Sequence, residues 1–250
     1  MAPAWTLLNL VRACTVTASD GRPKRALLDW LGAICSGSGE APDALATLLS
    51  LTVNVIPRDQ FDAEARGVLL KASAFVGDAR AAANAIDALA CFDLEAAVSL
   101  AATLGRPSDA RLEAVAVQVR GMRDLDRATV RSLRRMLASR EPRRVASGLH
   151  ALGEIARHFQ AQDLVYLKAR LGFMALTKRL PTFAAHADAM IRRQAVAAAR
   201  KIADPEIWAA LQKMAGQDPD GALAAEMAEY ASVPSRRYVS AVPPSLRPAA

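Results

Sequence analysis

Cysteine is scarce in this chain of 250 residues: there are three, Cys14, Cys35 and Cys91. They lie far apart, are odd in number and form no C-x-x-C pair, which argues against a disulfide framework or a cysteine zinc site and for a reducing compartment. Histidine is equally sparse (His150, His158 and His186), and neither H-E-x-x-H nor an i,i+4 histidine pair occurs, so no metal is expected. The glycine-rich stretch Ser36-Gly37-Ser38-Gly39 lacks the following Lys-Ser/Thr of a phosphate loop, and no G-x-S-x-G is present. Aromatics make up 5% of the chain, too few for a sheet protein. The most apolar run, residues 44–56, is too short to span a bilayer. No basic residue precedes Trp5-Thr6-Leu7-Leu8 and Arg12 interrupts the apolar run, which does not fit a signal peptide. The expectation is a cytoplasmic, non-enzymatic protein with no cofactor, small-molecule substrate or membrane contact.

What the chain does have is alanine, leucine and valine within a hydrophobic content of 52%. Alanine combines the best helix propensity with close helix contacts. Apolar residues recur at helical spacing between breakers such as Pro57, Gly77, Gly105-Arg106-Pro107, Pro142, Pro181, Asp204-Pro205 and Asp218-Pro219. This predicts an all-α protein of helical pairs. First helices are expected near 22–35, 59–76, 93–104, 126–138, 161–179 and 205–215. Second helices are expected near 41–55, 78–90, 109–121, 142–159, 188–203 and 219–231. The helix 161–179 should be followed by a loop through Pro181 and His186. Residues 1–21 read as an arm or capping segment, and residues 233–250, with four prolines, as an extended tail.

The second helices share a pattern. In Met190-Ile191-Arg192-Arg193-Gln194-Ala195-Val196-Ala197-Ala198, an aliphatic residue and an arginine are followed by small residues at fixed offsets, and Asp204-Pro205 makes the next turn. Degraded copies occur at Ala79/Arg80/Ala83/Ile86 and Ala110/Arg111/Ala114/Val117. Another, from Arg144, ends in Ala151-Leu152-Gly153-Glu154-Ile155, and a last one at Leu223/Ala224/Met227 lacks the arginine. The anchors Arg80, Arg111, Arg144, Arg192 and Ala224 are spaced 31, 33, 48 and 32 residues, near one helical pair in three of four cases. The pattern resembles the inner helix of HEAT repeats. That resemblance implies an α-solenoid of about six hairpins over 22–232, a concave surface lined by second helices, and a scaffold or adaptor that binds other proteins. It also implies that Arg80, Arg111 and Arg192 each pair with a loop aspartate of a neighbouring repeat.

Charge is uneven. Residues 1–125 carry 12 Lys/Arg against 14 Asp/Glu, whereas residues 126–250 carry 20 against 11. Seven arginines (Arg127, Arg131, Arg134, Arg135, Arg140, Arg143 and Arg144) fall between positions 127 and 144, opposed by Glu141 alone. Guanidinium forks suit carboxylate and phosphate. An acidic protein is therefore the expected partner, with nucleic acid as the alternative. The candidate partner-binding residues are Arg131, Arg134 and Arg135, together with Arg157, Arg193, Arg200 and Lys201, the last four expected to be exposed on second helices. Alkylpurine DNA glycosylases share the HEAT-like architecture but use tryptophans and an Asp–Arg pair; Trp5, Trp30 and Trp208 here fall on or before first helices, so no catalytic residue is assigned.

Overall fold

The computed structural model describes residues 25, 28, 29, 32, 61–73, 79–104, 107–160, 172–218 and 221–232. The arm at 1–21, the tail at 233–250 and the second helix expected over 41–55 lie outside them, as does nearly all of the helix expected over 22–35. Among the described residues all regular structure is helical. The chain divides into two compact units, residues 1–119 and 120–250.

In the first unit, α1 (Ala63–Ser73), α2 (Ala79–Phe92) and α3 (Leu94–Thr103) are followed by most of α4 (Ala110–Arg123). The core is alanine-rich. Ala81, Ala85, Ile86, Ala88 and Leu89 of α2 pack with Leu69, Ala97, Val98, Val115, Ala116 and Val119. Small side chains at this density let helix axes approach closely, at the cost of little side-chain entropy. Phe61 and Phe92 stack with ring centroids 4.4 Å apart and close one edge of this core. The Arg66 guanidinium pairs with Asp93 at 2.7 Å and ties α1 to the start of α3.

The second unit holds α5 (Arg127–Leu137), α6 (Pro142–Gln160), α7 (Phe173–Thr177), α8 (Leu180–Ala184), α9 (Ala189–Ile202), α10 (Pro205–Ala215) and α11 (Ala222–Ser232). Successive second helices pack on one another, α6 on α9 and α9 on α11. The first helices do likewise, α8 on α10, and each first helix packs on its own second helix. From α8 to α11 the helices therefore form two layers. The strongest junction is α6 on α9, where Gly153 backs onto Ala198. A Cβ at position 153 would lie 3.0 Å from the Ala198 Cα and 3.2 Å from Cδ of Lys201. The glycine is there because the facing backbone is.

Aspartates start most of these helices, as their spacing predicts. The Asp126 carboxylate accepts from Thr129 N at 2.7 Å, Asp188 from Met190 N at 2.8 Å and Asp204 from Glu206 N at 2.8 Å. Each satisfies a backbone donor that the first turn leaves open. These donors hold the Asp126 carboxyl below its usual range, the Thr129 N–H being the largest cause.

One element departs from the sequence expectation. The helix predicted over 161–179 does not run through residue 172, and its described end is the short α7. Gly172 has φ +93°, a left-handed conformation that ends helical continuity and that only glycine adopts without strain. The loop predicted through Pro181 is instead α8, with Pro181 in its first turn, where a missing N–H costs nothing. Residues 161–171 lie outside the described set.

The α6–α9 contact generates a sign reversal. Replacing a mid-helix glycine by alanine ordinarily stabilises by about 1 kcal/mol. Gly67→Ala in α1, where nothing lies within 4 Å of the new Cβ, should show that gain in urea denaturation. Gly153→Ala should instead destabilise by about 1–2 kcal/mol, because the opposing atom is backbone and cannot yield.

Candidate interaction surface

Two sets of basic residues in the second unit differ in whether a carboxylate meets them among the described residues. The first group centres on Glu154, in the middle of α6. Its side chain is 6% exposed. Lys201 Nζ of α9 lies 2.6 Å from Glu154 Oε1, and the Arg157 guanidinium, one turn on in α6, pairs with Oε2. Burial raises the Glu154 carboxyl, but the opposing charges of Lys201, His150 and Arg157 and the hydrogen bond from Lys201 outweigh it and hold the group down at about 2. The carboxylate is thus ionised and paired inside the α6–α9 junction, beside the Gly153–Ala198 contact.

Arg192 near the start of α9 forms the second neutralised site. Its Nε lies 3.5 Å from Glu226 Oε1 of α11, and its Nη1 donates to the carbonyls of His186 and Ala187 at 3.1 and 2.8 Å. One guanidinium therefore clamps the α8–α9 turn and reaches the next second helix. The expected inter-repeat carboxylate is present here as a glutamate on a helix. Arg193 is 60% exposed and lies 4.0 Å from the same Glu226 oxygen. Arg80 and Arg111, the other two arginines at this repeat position, are exposed.

These contacts correct part of the sequence expectation. Arg157 and Lys201 were expected to be exposed cations; their side chains are 27% and 24% exposed and both are committed to Glu154. Arg200 is half-buried rather than exposed. Of the four cations expected to be exposed on second helices, Arg193 alone is. Glu154 and Glu226 were missed as the residues that neutralise them. A signal existed: each is a lone acid inside an apolar run, Ala151-Leu152-Gly153-Glu154-Ile155 and Ala222-Leu223-Ala224-Ala225-Glu226-Met227, and a buried carboxylate requires a cation.

The second group is on α5. Thr129, Val130, Leu133, Met136 and Leu137 are buried, and Arg127, Arg131, Arg134 and Arg135 are exposed on the other side. Arg140 and Arg143, in and just after the α5–α6 turn, are exposed as well. None of these six arginines meets a carboxylate among the described residues. Their local contacts are with neutral groups: Arg131 Nε donates to Arg127 O at 3.4 Å, and Arg135 Nη2 to Ser132 Oγ at 3.3 Å. Arg134 Nη2 lies beside Gly172, 3.4 Å from where a Cβ would stand.

Other candidate chemistry is dispersed. His150 and His158 are half-buried on α6, and His186 is exposed, its Nδ1 accepting from Asp188 N at 2.9 Å. Trp208 is half-buried on α10, and the Cys91 thiol of α2 donates to Asp87 O at 3.4 Å. Among the described residues no group of three or more His, Cys, Asp or Glu side chains could hold a metal ion, and no helix is long and apolar enough to cross a membrane. Comparison with protein-family models, curated proteins and solved structures finds no match.

Two outcomes follow from the neutralised sites. Glu154 has a folded-state value below its ordinary one, so its contribution to stability is full above about pH 4.5 and fades as pH falls towards 2. Glu154→Gln should cost about 2 kcal/mol at neutral pH, less than a fully buried pair because both cations retain some solvent. Urea melts across an acid series should show the gap between variant and parent closing through that window. In the same assay Arg192→Met should destabilise by about 2 kcal/mol, as it takes the nearer guanidinium from buried Glu226 and the clamp from the α8–α9 turn, while Arg193→Met should stay within about 0.5 kcal/mol.

Proposed function

We propose that this chain is a non-catalytic scaffold of the HEAT-like α-solenoid type, whose basic C-terminal half engages an acidic protein. The observation that carries this reading is the sorting of charge in the second unit. Half-buried cations are matched to Glu154 and Glu226, whereas six exposed arginines around α5 meet no carboxylate among the described residues. A row of exposed guanidinium groups repels itself and is relieved by an anionic surface.

The solenoid part of the proposal rests on layer order. Stacking of α6, α9 and α11, with α8 on α10 beside them, is the arrangement expected when each hairpin buries its apolar face on the next. The spacing of the arginine anchors extends this to about six hairpins over 22–232. The scaffold assignment rests on the same architecture together with a sequence without a catalytic motif, and it carries no cofactor. The cytoplasmic placement rests on cysteine usage.

Affinity capture with the full chain, paired with gel shifts of duplex and single-stranded DNA and RNA at low and near-physiological salt, tests the reading. The expected result is a defined acidic protein in the capture. Nucleic-acid binding should be weak, non-specific and gone at the higher salt, because counterion release dominates such contacts. Tight nucleic-acid binding that persists at near-physiological salt would overturn the protein-scaffold reading in favour of a nucleic-acid-binding one.

A further inference from the structure

We infer that the docking surface for the acidic partner is the exposed face of α5 with the α5–α6 turn, and that it takes an acidic helix bearing carboxylates three and four residues apart. This rests on the scaffold reading above and goes beyond it by setting aside Arg157, Arg200 and Lys201 and by naming the form of the partner.

Three observations support the location. Arg157 and Lys201 spend their charge on Glu154, and Arg192 on Glu226, so the second helices of this unit offer a largely compensated surface. On α5, by contrast, Arg127, Arg131 and Arg134 follow at intervals of four and three residues along one side, with Arg135 next to them. At about 1.5 Å per residue this row extends about 10 Å along the helix, and Arg140 and Arg143 continue the basic surface into α6. The contacts these guanidinium groups make are with neutral groups: Arg131 Nε donates to Arg127 O and Arg135 Nη2 to Ser132 Oγ, at 3.4 and 3.3 Å, and Arg134 lies beside Gly172.

Two further observations choose the partner's chemistry. All the cations between 127 and 144 are arginine, whose fork donates to both oxygens of a carboxylate. No Phe, Tyr, Trp or His occurs between 126 and 144, so the surface offers no platform on which a nucleic-acid base could stack. A partner helix with Asp or Glu at i, i+4 and i+7 repeats the spacing of Arg127, Arg131 and Arg134 and meets them side by side.

The test uses the full chain and two labelled synthetic helical peptides of one composition. One carries glutamates at i, i+4 and i+7 along one face; the other has the same glutamates spread around the helix. Binding is read by fluorescence anisotropy, with duplex DNA as a competitor. The facial peptide should bind about tenfold tighter than the spread one. The triple variant Arg131→Glu/Arg134→Glu/Arg135→Glu should lose at least that factor with its melting temperature unchanged, while Arg193→Glu/Arg200→Glu should lose less than about threefold. Should the reversal disturb folding, the Arg→Gln set at the same three positions supplies the comparison, with a smaller loss expected. Unchanged binding by the α5 variants, with loss in the Arg193/Arg200 variant, overturns this inference and leaves the acidic-partner reading standing. Equal binding of both peptides overturns the spacing rule and with it the helical partner. Failure of the parent chain to bind either peptide, or their displacement by DNA at equal concentration, overturns both readings.

Discussion

The second unit is organised by the approach of α6 to α9 at Gly153 and Ala198. Here two helix backbones come as close as the absence of one Cβ allows. Everything at that level must be small or must leave the contact plane. Ala195, Val196, Ala198 and Ala199 of α9 and Ala151, Leu152, Ile155 and Ala156 of α6 are accordingly buried around it. The same approach brings Lys201 to Glu154. A carboxylate placed mid-helix among these residues has no route to water, so the distance between the helices decides whether it stays ionised. At 2.6 Å from Nζ it does, and its neighbour Arg157 completes the compensation.

That contact also divides the charge of the molecule. A net excess of cations over residues 120–201 would, on composition alone, be a uniformly basic surface. Packing removes part of it by pairing Arg157, Lys201 and Arg192 with two glutamates, and what remains exposed is concentrated on α5 and the turn that follows. The arginines there are kept outward by the opposite face of the same helix, since Val130, Leu133, Met136 and Leu137 are buried. One amphipathic helix therefore both anchors the hairpin and presents arginines that meet no carboxylate among the described residues.

Much of the helix layout was legible in the sequence because its causes are local. Aspartate followed by a helical stripe starts α5, α9 and α10 at Asp126, Asp188 and Asp204, since a side-chain acceptor two or three residues before an open N–H is a short-range interaction. Proline was less informative. Pro181 was expected to mark a loop and instead occupies the first turn of α8, a position that tolerates it equally well. Gly172 was passed over because glycine within an apolar pattern does not reveal its φ; the backbone alone does that.

The arginines show where sequence reading ends. Spacing along the chain was enough to place Arg131, Arg134 and Arg135 on the solvent side of α5, because a helical period is a one-dimensional quantity; the HEAT resemblance led to a loop aspartate for Arg192, whereas its carboxylate is Glu226 on a helix. Spacing was not enough to separate Arg157 and Lys201 from the exposed cations. Arg157 lies three residues from Glu154 on the same helix, a pairing the helical period permits but does not require, whereas Lys201 is 47 residues away and only the packing distance between α6 and α9 brings it there. Helical class, turn positions and the basic bias were set by the order of the residues. Which of these charges stay exposed was decided by how closely the helices pack, a property no single segment carries.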